Sequence, residues 1–217
     1  ERVFFVSRSL EEESWVLYSK KINEIGSPQM IWKPSKGVMA TSWHPNEDML
    51  AMNFQSDIWF IKNPLTDPKG NKFTGEKHLE WVGVFSPNGN WISYDDDQTG
   101  TYRTVVRSLT NTNRIHQVNR KESDNGIWSP NGDALYFFQG EGRLFKREFN
   151  PESSKDPVGK IEEIFSVKWI DNPGSSYDVH PEEEKFLLIV PKTPFKKIRE
   201  IRVLFNIENE LKSLFKR

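Results

Sequence analysis

The chain has 217 residues, carries 30 basic against 31 acidic side chains for a net charge of −1, and contains no cysteine. That length suits one large domain, and evenly mixed charge gives no reason to expect a nucleic-acid partner. The missing cysteine excludes a disulfide framework, a thiolate metal site and a cysteine nucleophile, and no apolar run nears the roughly 18–20 residues that cross a bilayer as a helix.

Eight tryptophans and fifteen phenylalanines in a chain of mean hydropathy −0.69 point to large rings buried between β-sheets. The first residues, Val3–Val6, read as a strand entered midway, so the chain is expected to be a piece of something longer. Strands at Trp15–Lys20 and Gln29–Trp32 follow. Then a proline frame begins. Pro45, Pro87, Pro130 and Pro181 stand 42, 43 and 51 residues apart, in Trp43-His44-Pro45-Asn46, Phe85-Ser86-Pro87-Asn88-Gly89, Trp128-Ser129-Pro130-Asn131-Gly132 and Val179-His180-Pro181-Glu182. Two residues before each proline stands Trp, Phe, Trp or Val. Five after it stand Leu50, Ile92, Leu135 and Phe186, and seven after it Met52, Tyr94, Phe137 and Leu188. Proline presets φ for the first turn position, and Asn and Gly tolerate the left-handed conformation that follows. Apolar residues two apart after the turn belong to one face of a strand. Strand, tight turn, strand, repeated at a period near 43, is the mark of a radial repeat.

Around these hairpins the pattern predicts further strands. The first full unit takes Val38–Trp43, Met49–Phe54, Asp57–Ile61 and a looser fourth near Phe73–His78, with Asn63–Asn71 as an exposed loop. The next takes Trp81–Phe85, Trp91–Tyr94, Arg103–Arg107 and Ile115–Val118, and its successor Gly126–Trp128, Ala134–Phe138, Arg143–Phe149 and Glu162–Val167. A polar insertion at Asn150–Pro157 accounts for the longer spacing before the last hairpin, Tyr177–Val179 with Phe186–Val190, followed by Ile201–Phe205. Asn206 caps a short helix over 207–217 with Ile207, Leu211, Leu214 and Phe215 on one face. The expected fold is an all-β propeller over 1–206, in about five units near 1–33, 34–78, 79–119, 120–167 and 168–206. A two-layer sandwich has no reason to repeat one hairpin at this period.

Phe85-Ser86-Pro87-Asn88-Gly89-Asn90-Trp91-Ile92-Ser93-Tyr94 and Trp128-Ser129-Pro130-Asn131-Gly132-Asp133-Ala134-Leu135-Tyr136-Phe137 resemble the TolB-type, WD-like propeller repeat of bacteria. The end of the chain, from Tyr177-Asp178-Val179-His180-Pro181 to Ile201–Asn206 and Glu210-Leu211-Lys212, is similar to the C-terminal unit of bacterial propellers fused to serine/threonine kinases or regulators. The resemblance implies a ring of six or more blades, and a periplasmic or extracytoplasmic setting. The chain departs from the repeat where Asn or Glu182 replaces the usual Asp after proline, and where His44 and His180 replace serine. The Glu182-Glu183-Glu184 hairpin is expected to turn more loosely than the others.

Candidate chemistry is sparse. Asp95-Asp96-Asp97, before Gly100, Tyr102 and Arg103, offers three carboxylates for a cation or a basic partner segment, or simply a solvated turn whose Asp side chains bond nearby amides. His44 and His180 hold equivalent positions and read as turn caps, and none of the four histidines has a His-x-x-x-His spacing, so no metal site is expected. Gly70–Lys77 fails as a phosphate loop because Glu76 stands where lysine is needed, and there is no Gly-x-Ser-x-Gly elbow. Trp43, Trp91 and Trp128 are expected in the core; Trp169, beside Asp171, Pro173 and Gly174, is expected to be exposed. The expectation is a non-catalytic module without a cofactor, binding a protein or peptide through Asp95, Asp96, Asp97, Arg103 and Trp169. The alternative is the propeller of a multidomain serine peptidase, with its hydrolase domain beyond residue 217, or a propeller-fold glycosidase.

Overall fold

A computed structural model describes residues 1–9, 14–140, 142–153, 155–170 and 176–192. The expected helix at 207–217, the strand Ile201–Phe205 and the segment Asp171–Gly174 lie outside them. The described residues form seventeen antiparallel strands in five sheets in chain order. The first holds β1 (Arg2–Ser9), β2 (Ser14–Lys21) and β3 (Gln29–Trp32). The second holds β4 (Val38–Trp43), β5 (Met49–Phe54), β6 (Asp57–Lys62) and β7 (Lys69–Lys72). The third holds β8 (Glu80–Phe85), β9 (Trp91–Asp96), β10 (Arg103–Ser108) and β11 (Ile115–Gln117). The fourth holds β12 (Asp124–Trp128), β13 (Ala134–Gln139), β14 (Arg143–Phe149) and β15 (Val158–Ser166), and the fifth the pair β16 (Tyr177–Val179) and β17 (Phe186–Leu188).

All four proline hairpins close with one hydrogen bond in the same register. The N–H of the residue before proline donates to the carbonyl four residues after it: His44 to Met49, Ser86 to Trp91, Ser129 to Ala134 and His180 to Lys185, at 2.8–2.9 Å. The Glu182–Glu184 turn, expected to be looser, keeps this bond. The side chain before proline seals the turn as well. Ser86 and Ser129 accept the N–H groups of Trp91 and Ala134, while His44 Nδ1 accepts those of Asn46 and Glu47. With Nδ1 accepting, His44 Nε2 carries the proton and donates to Gly89 O of the next sheet at 2.9 Å. Gly89 sits at φ +74, and a Cβ there would stand 2.6 Å from the His44 ring.

The core is divided into four clusters, each between two sheets consecutive in the chain. Leu50 with Met52, Ile92 with Tyr94, Leu135 with Phe137, and Phe186 with Leu188 each share one cluster, as the period-two spacing requires. The opposite faces of these strands are covered too, so β5 is buried at every residue and β9 and β13 at all but the last. A strand covered on both faces needs no polar alternation.

Trp91 and Trp128 are buried, and Trp128 Nε1 donates to Val84 O of the preceding sheet at 3.0 Å. Trp43 departs from its expected place: it is 42% exposed, stacked on Phe4 at 4.9 Å. Among the described residues, the sheet before it has three strands and no counterpart of the inner strands β4, β8 and β12, so little beyond Phe4 covers the ring. The fourth strand of the second sheet also differs. It is β7, inside the stretch read as a loop, because the turn formers close quickly, with Thr66 and Asp67 N–H groups on Asn63 O. An outermost strand faces water and carries no apolar signal; only Gly70 approaches the interior, under Met52 and Trp59.

If this division of the core is right, Trp128→Ala costs about 3–5 kcal/mol in urea unfolding. Trp43→Ala costs about 1 kcal/mol, the size of an exposed aromatic stack. Equal losses would contradict it.

Candidate functional site

Blade-connecting segments (33–37, 73–79 and 118–123) and second-to-third-strand turns (55–56 and 97–102) lie at one end of the sheets, opposite the proline hairpins. The three consecutive aspartates reach this end on β9 and then part company. Asp95 is 4% exposed; Oδ1 accepts the Thr104 hydroxyl at 2.9 Å and Oδ2 the N–H of Asn125, in the next sheet, at 2.8 Å. Asp96 is half-buried, with Oδ2 2.9 Å from His78 Nε2 and Oδ1 accepting the Gln98 N–H. Asp97 accepts the Leu79 N–H through Oδ1 and the Gly100 N–H through its carbonyl. Arg103 is half-buried opposite Asp96 in the ladder. Only Gln98–Tyr102 are fully at the surface. The three side chains do bond backbone amides, as the turn reading expects, but those amides lie on different parts of the fold and Asp95 is buried, so the segment is not simply a solvated turn.

Asp95 belongs to a repeated device. It stands eight residues after Pro87, and Asn53 stands eight after Pro45. Asn53 Oδ1 accepts the Val82 N–H at 2.8 Å, and its Nδ2 donates to Glu80 O at 2.9 Å, again in the next sheet. Val82 and Asn125, the residues gripped, both have positive φ (51° and 55°), at the bulge of an inner strand. A β-branched residue avoids that conformation, so the side chain from the neighbouring sheet supports a backbone kink. After Asn125 comes Gly126, whose missing Cβ would lie 2.4 Å from Thr104 Cγ2. In the third hairpin the eighth position is Phe138. It grips nothing polar, and Trp169 stacks on it at 4.2 Å with Tyr177 edge-on at 5.0 Å. This corrects the expectation for Trp169. An apolar residue at the clamp position offers a ring face, and Trp169 closes over it, half-buried against the core cluster.

Three features of this end went unread in the sequence. Glu80, the first residue of β8, is fully buried. Burial pushes its carboxyl up to about 7, opposed by the neighbouring Thr74 hydroxyl and His78 and reinforced by Asp57 and Asp96, yet neither oxygen completes a hydrogen bond. His78, Glu80 and Asp96 bring one ligand atom each within 4.8 Å of one another. A cleft of about 550 Å³ opens nearby, lined by Trp15, Val38, Phe54, Gln55 and Trp81 among others, with Trp81 39% exposed. The signals were the His78-x-Glu80 spacing on one strand edge, and tryptophans out of repeat register.

Burial likewise raises Asp95, to about 7 from an ordinary 3.8, against the hydrogen bonds from Asn125, Thr104 and Gly126. A carboxyl raised on folding favours the protonated native state, so its contribution is full below 3.8 and is lost as pH rises through about 7. Urea midpoints measured across that window fall with rising pH, and Asp95→Asn flattens the slope, leaving the part due to Glu80. Because Asn53 performs the same clamp with an amide, Asp95→Asn folds normally. Asp95→Ala strands the Asn125 N–H and costs about 1–3 kcal/mol.

No family model and no curated protein sequence matches the chain. Solved structures do. TolB from Acinetobacter baumannii is 15% identical with a TM-score of 0.67, covering 86% of this chain and 46% of its own. The Cps50 (Swd1) β-propeller domain of Myceliophteria thermophila is 12% identical with a TM-score of 0.57, covering 92% of this chain and 69% of its own. A chain of a nidogen/laminin complex is 11% identical with a TM-score of 0.53, covering 77% and 66%. The chain thus spans less than half the length of that TolB. The fold is a β-propeller, the fold of the TolB and Swd1 structures that it resembles.

Proposed function

We propose that this chain is a non-catalytic binding module that takes a protein or peptide segment on the blade-connecting end of its sheets. One observation carries the reading: the cleft between Trp15 and Trp81, floored by Val38 and Phe54 and rimmed by Lys36 and Gln55. Its size suits one or two apolar side chains of a partner, and tryptophan beside a desolvated pocket is the usual anchor of such contacts. Trp81 lies opposite Asp95 in the β8–β9 ladder, so the clamp that fixes the inner strand also fixes the ring. Beside it, Asp97 and Tyr102 on the 97–102 turn, and Arg103 at the start of β10, supply polar and aromatic groups. Asp95 and Asp96 serve this surface from beneath by holding the backbone of Asn125 and Gln98, whereas Trp169 packs on Phe138 between the fourth and fifth sheets, away from the cleft. The nidogen/laminin neighbour is part of a protein complex, and a protein partner for this chain follows from it by fold analogy.

Panning a phage-displayed random peptide library on the full chain tests the proposal. Enriched peptides are expected to carry an aromatic or large aliphatic residue, and to lose about tenfold or more in affinity, roughly 1.4 kcal/mol, with Trp81→Ala. Trp43→Ala, an exposed ring beside a proline hairpin at the opposite end, leaves them bound. Peptides indifferent to Trp81, or hydrolysis of a peptide or glycoside by the purified chain, would defeat the reading.

A further inference from the structure

We propose that His78, Glu80 and Asp96 form a binding site for a single divalent transition-metal ion of the zinc class, fastening the 73–79 segment to the β8–β9 ladder. Two independent observations meet here. The first is convergence: Glu80 and Asp96 are paired residues of neighbouring strands, and His78 comes two residues before Glu80, so the ladder brings all three ligand atoms within 4.8 Å of one another. The second is Glu80 itself, whose carboxylate is fully buried, has one oxygen within this group, and completes no hydrogen bond through either oxygen, with only the Thr74 hydroxyl beside it to offset its charge from outside the group. Such a group costs free energy unless something compensates it.

A cation answers that need in kind. A neutral imidazole and two carboxylates carry a charge of −2 and match a divalent ion. The mixed nitrogen and oxygen donors suit zinc-like ions better than calcium, which takes six to eight oxygens. His78 Nε2 and Asp96 Oδ2 already stand 2.9 Å apart. Ligands around a tetrahedral zinc ion lie about 3.3 Å apart, given metal–ligand bonds near 2.0–2.1 Å. The pair opens slightly, and side-chain rotation closes the longer separations. The supports are built. Gln98 N–H holds the other Asp96 oxygen at 2.7 Å, the orienting role outer hydrogen bonds play at metal centres. Glu80 has its own N–H on Ser56 O and its carbonyl on Asn53 Nδ2, so the backbone that presents the carboxylate is pinned. Access is open as well: His78 lines a second cleft of about 430 Å³ with Asp57, Glu76, Leu79 and Asp97, which leaves a water-facing position for the fourth ligand.

Zinc titrated into the chelator-treated full chain by calorimetry, and cobalt followed by its visible d–d bands, read the site directly. One equivalent is expected to bind saturably, with a tetrahedral cobalt spectrum. His78→Asn and Glu80→Gln each weaken binding by at least about tenfold, with far-ultraviolet circular dichroism unchanged. His116→Asn, at the other histidine close to a carboxylate, leaves binding intact. His78 is partly exposed, so its variant stays informative if Glu80→Gln folds poorly. Absence of saturable binding overturns the proposal, and so does binding that survives His78→Asn or is lost with His116→Asn.

Discussion

An inner strand can follow its hairpin and still pack against the neighbouring sheet only if its backbone bends, and here a side chain from the sheet before it holds the bend. Asn53 and Asp95 do this through the N–H groups of Val82 and Asn125. Both receiving residues have positive φ, which a bulged strand bears only where its surroundings support it. The grip also removes a buried N–H from the list of unpaired donors. Everything at the blade-connecting end inherits its position from this contact, because the gripped residues stand beside Trp81, Glu80 and Asp124 on the same strands.

The apolar core follows from that arrangement. Four clusters, each between consecutive sheets, make the stack nearly one-dimensional in the sense of repeat proteins. Each of the three inner sheets then depends on both neighbours. Trp128 shows the dependence, packed against Phe149 and hydrogen-bonded to Val84 across the boundary. Trp43, in the same frame, faces a sheet that has no inner strand among the described residues, and it stays half in water. The same residue type at the same repeat position thus takes two environments, set by what stands next door.

Charge is handled differently at the two ends of the sheets. At the hairpin end it is spread through exposed turns, where Glu184 reaches back to Lys146 and the Tyr136 hydroxyl. At the connecting end, carboxylates go inside. Asp95 is satisfied by backbone and hydroxyl donors, and Glu80 is not. An uncompensated carboxyl among His78, Asp57 and Asp96 is a feature that packing alone has no reason to make.

From its residues alone the chain specified the repeat, the four hairpins and the buried faces that follow each proline. Those depend on local chemistry, namely proline's fixed φ, the turn residues beside it, and side-chain alternation at period two. The His44 cap was legible for the same reason. Positions set by a neighbouring sheet were not. Asp95, Asp96 and Asp97 are adjacent in sequence yet go to a backbone N–H in the next sheet, a histidine eighteen residues away, and the Leu79 N–H on the linking segment. Trp169 moved inward because Phe138, thirty-one positions earlier, presents a ring where Asn53 and Asp95 present polar groups. The grouping of His78 and Glu80 with Asp96 exists only through the strand register that pairs Glu80 with Asp96. Which side chains share a space is decided by contacts between residues far apart in the chain, and no local pattern encodes those distances.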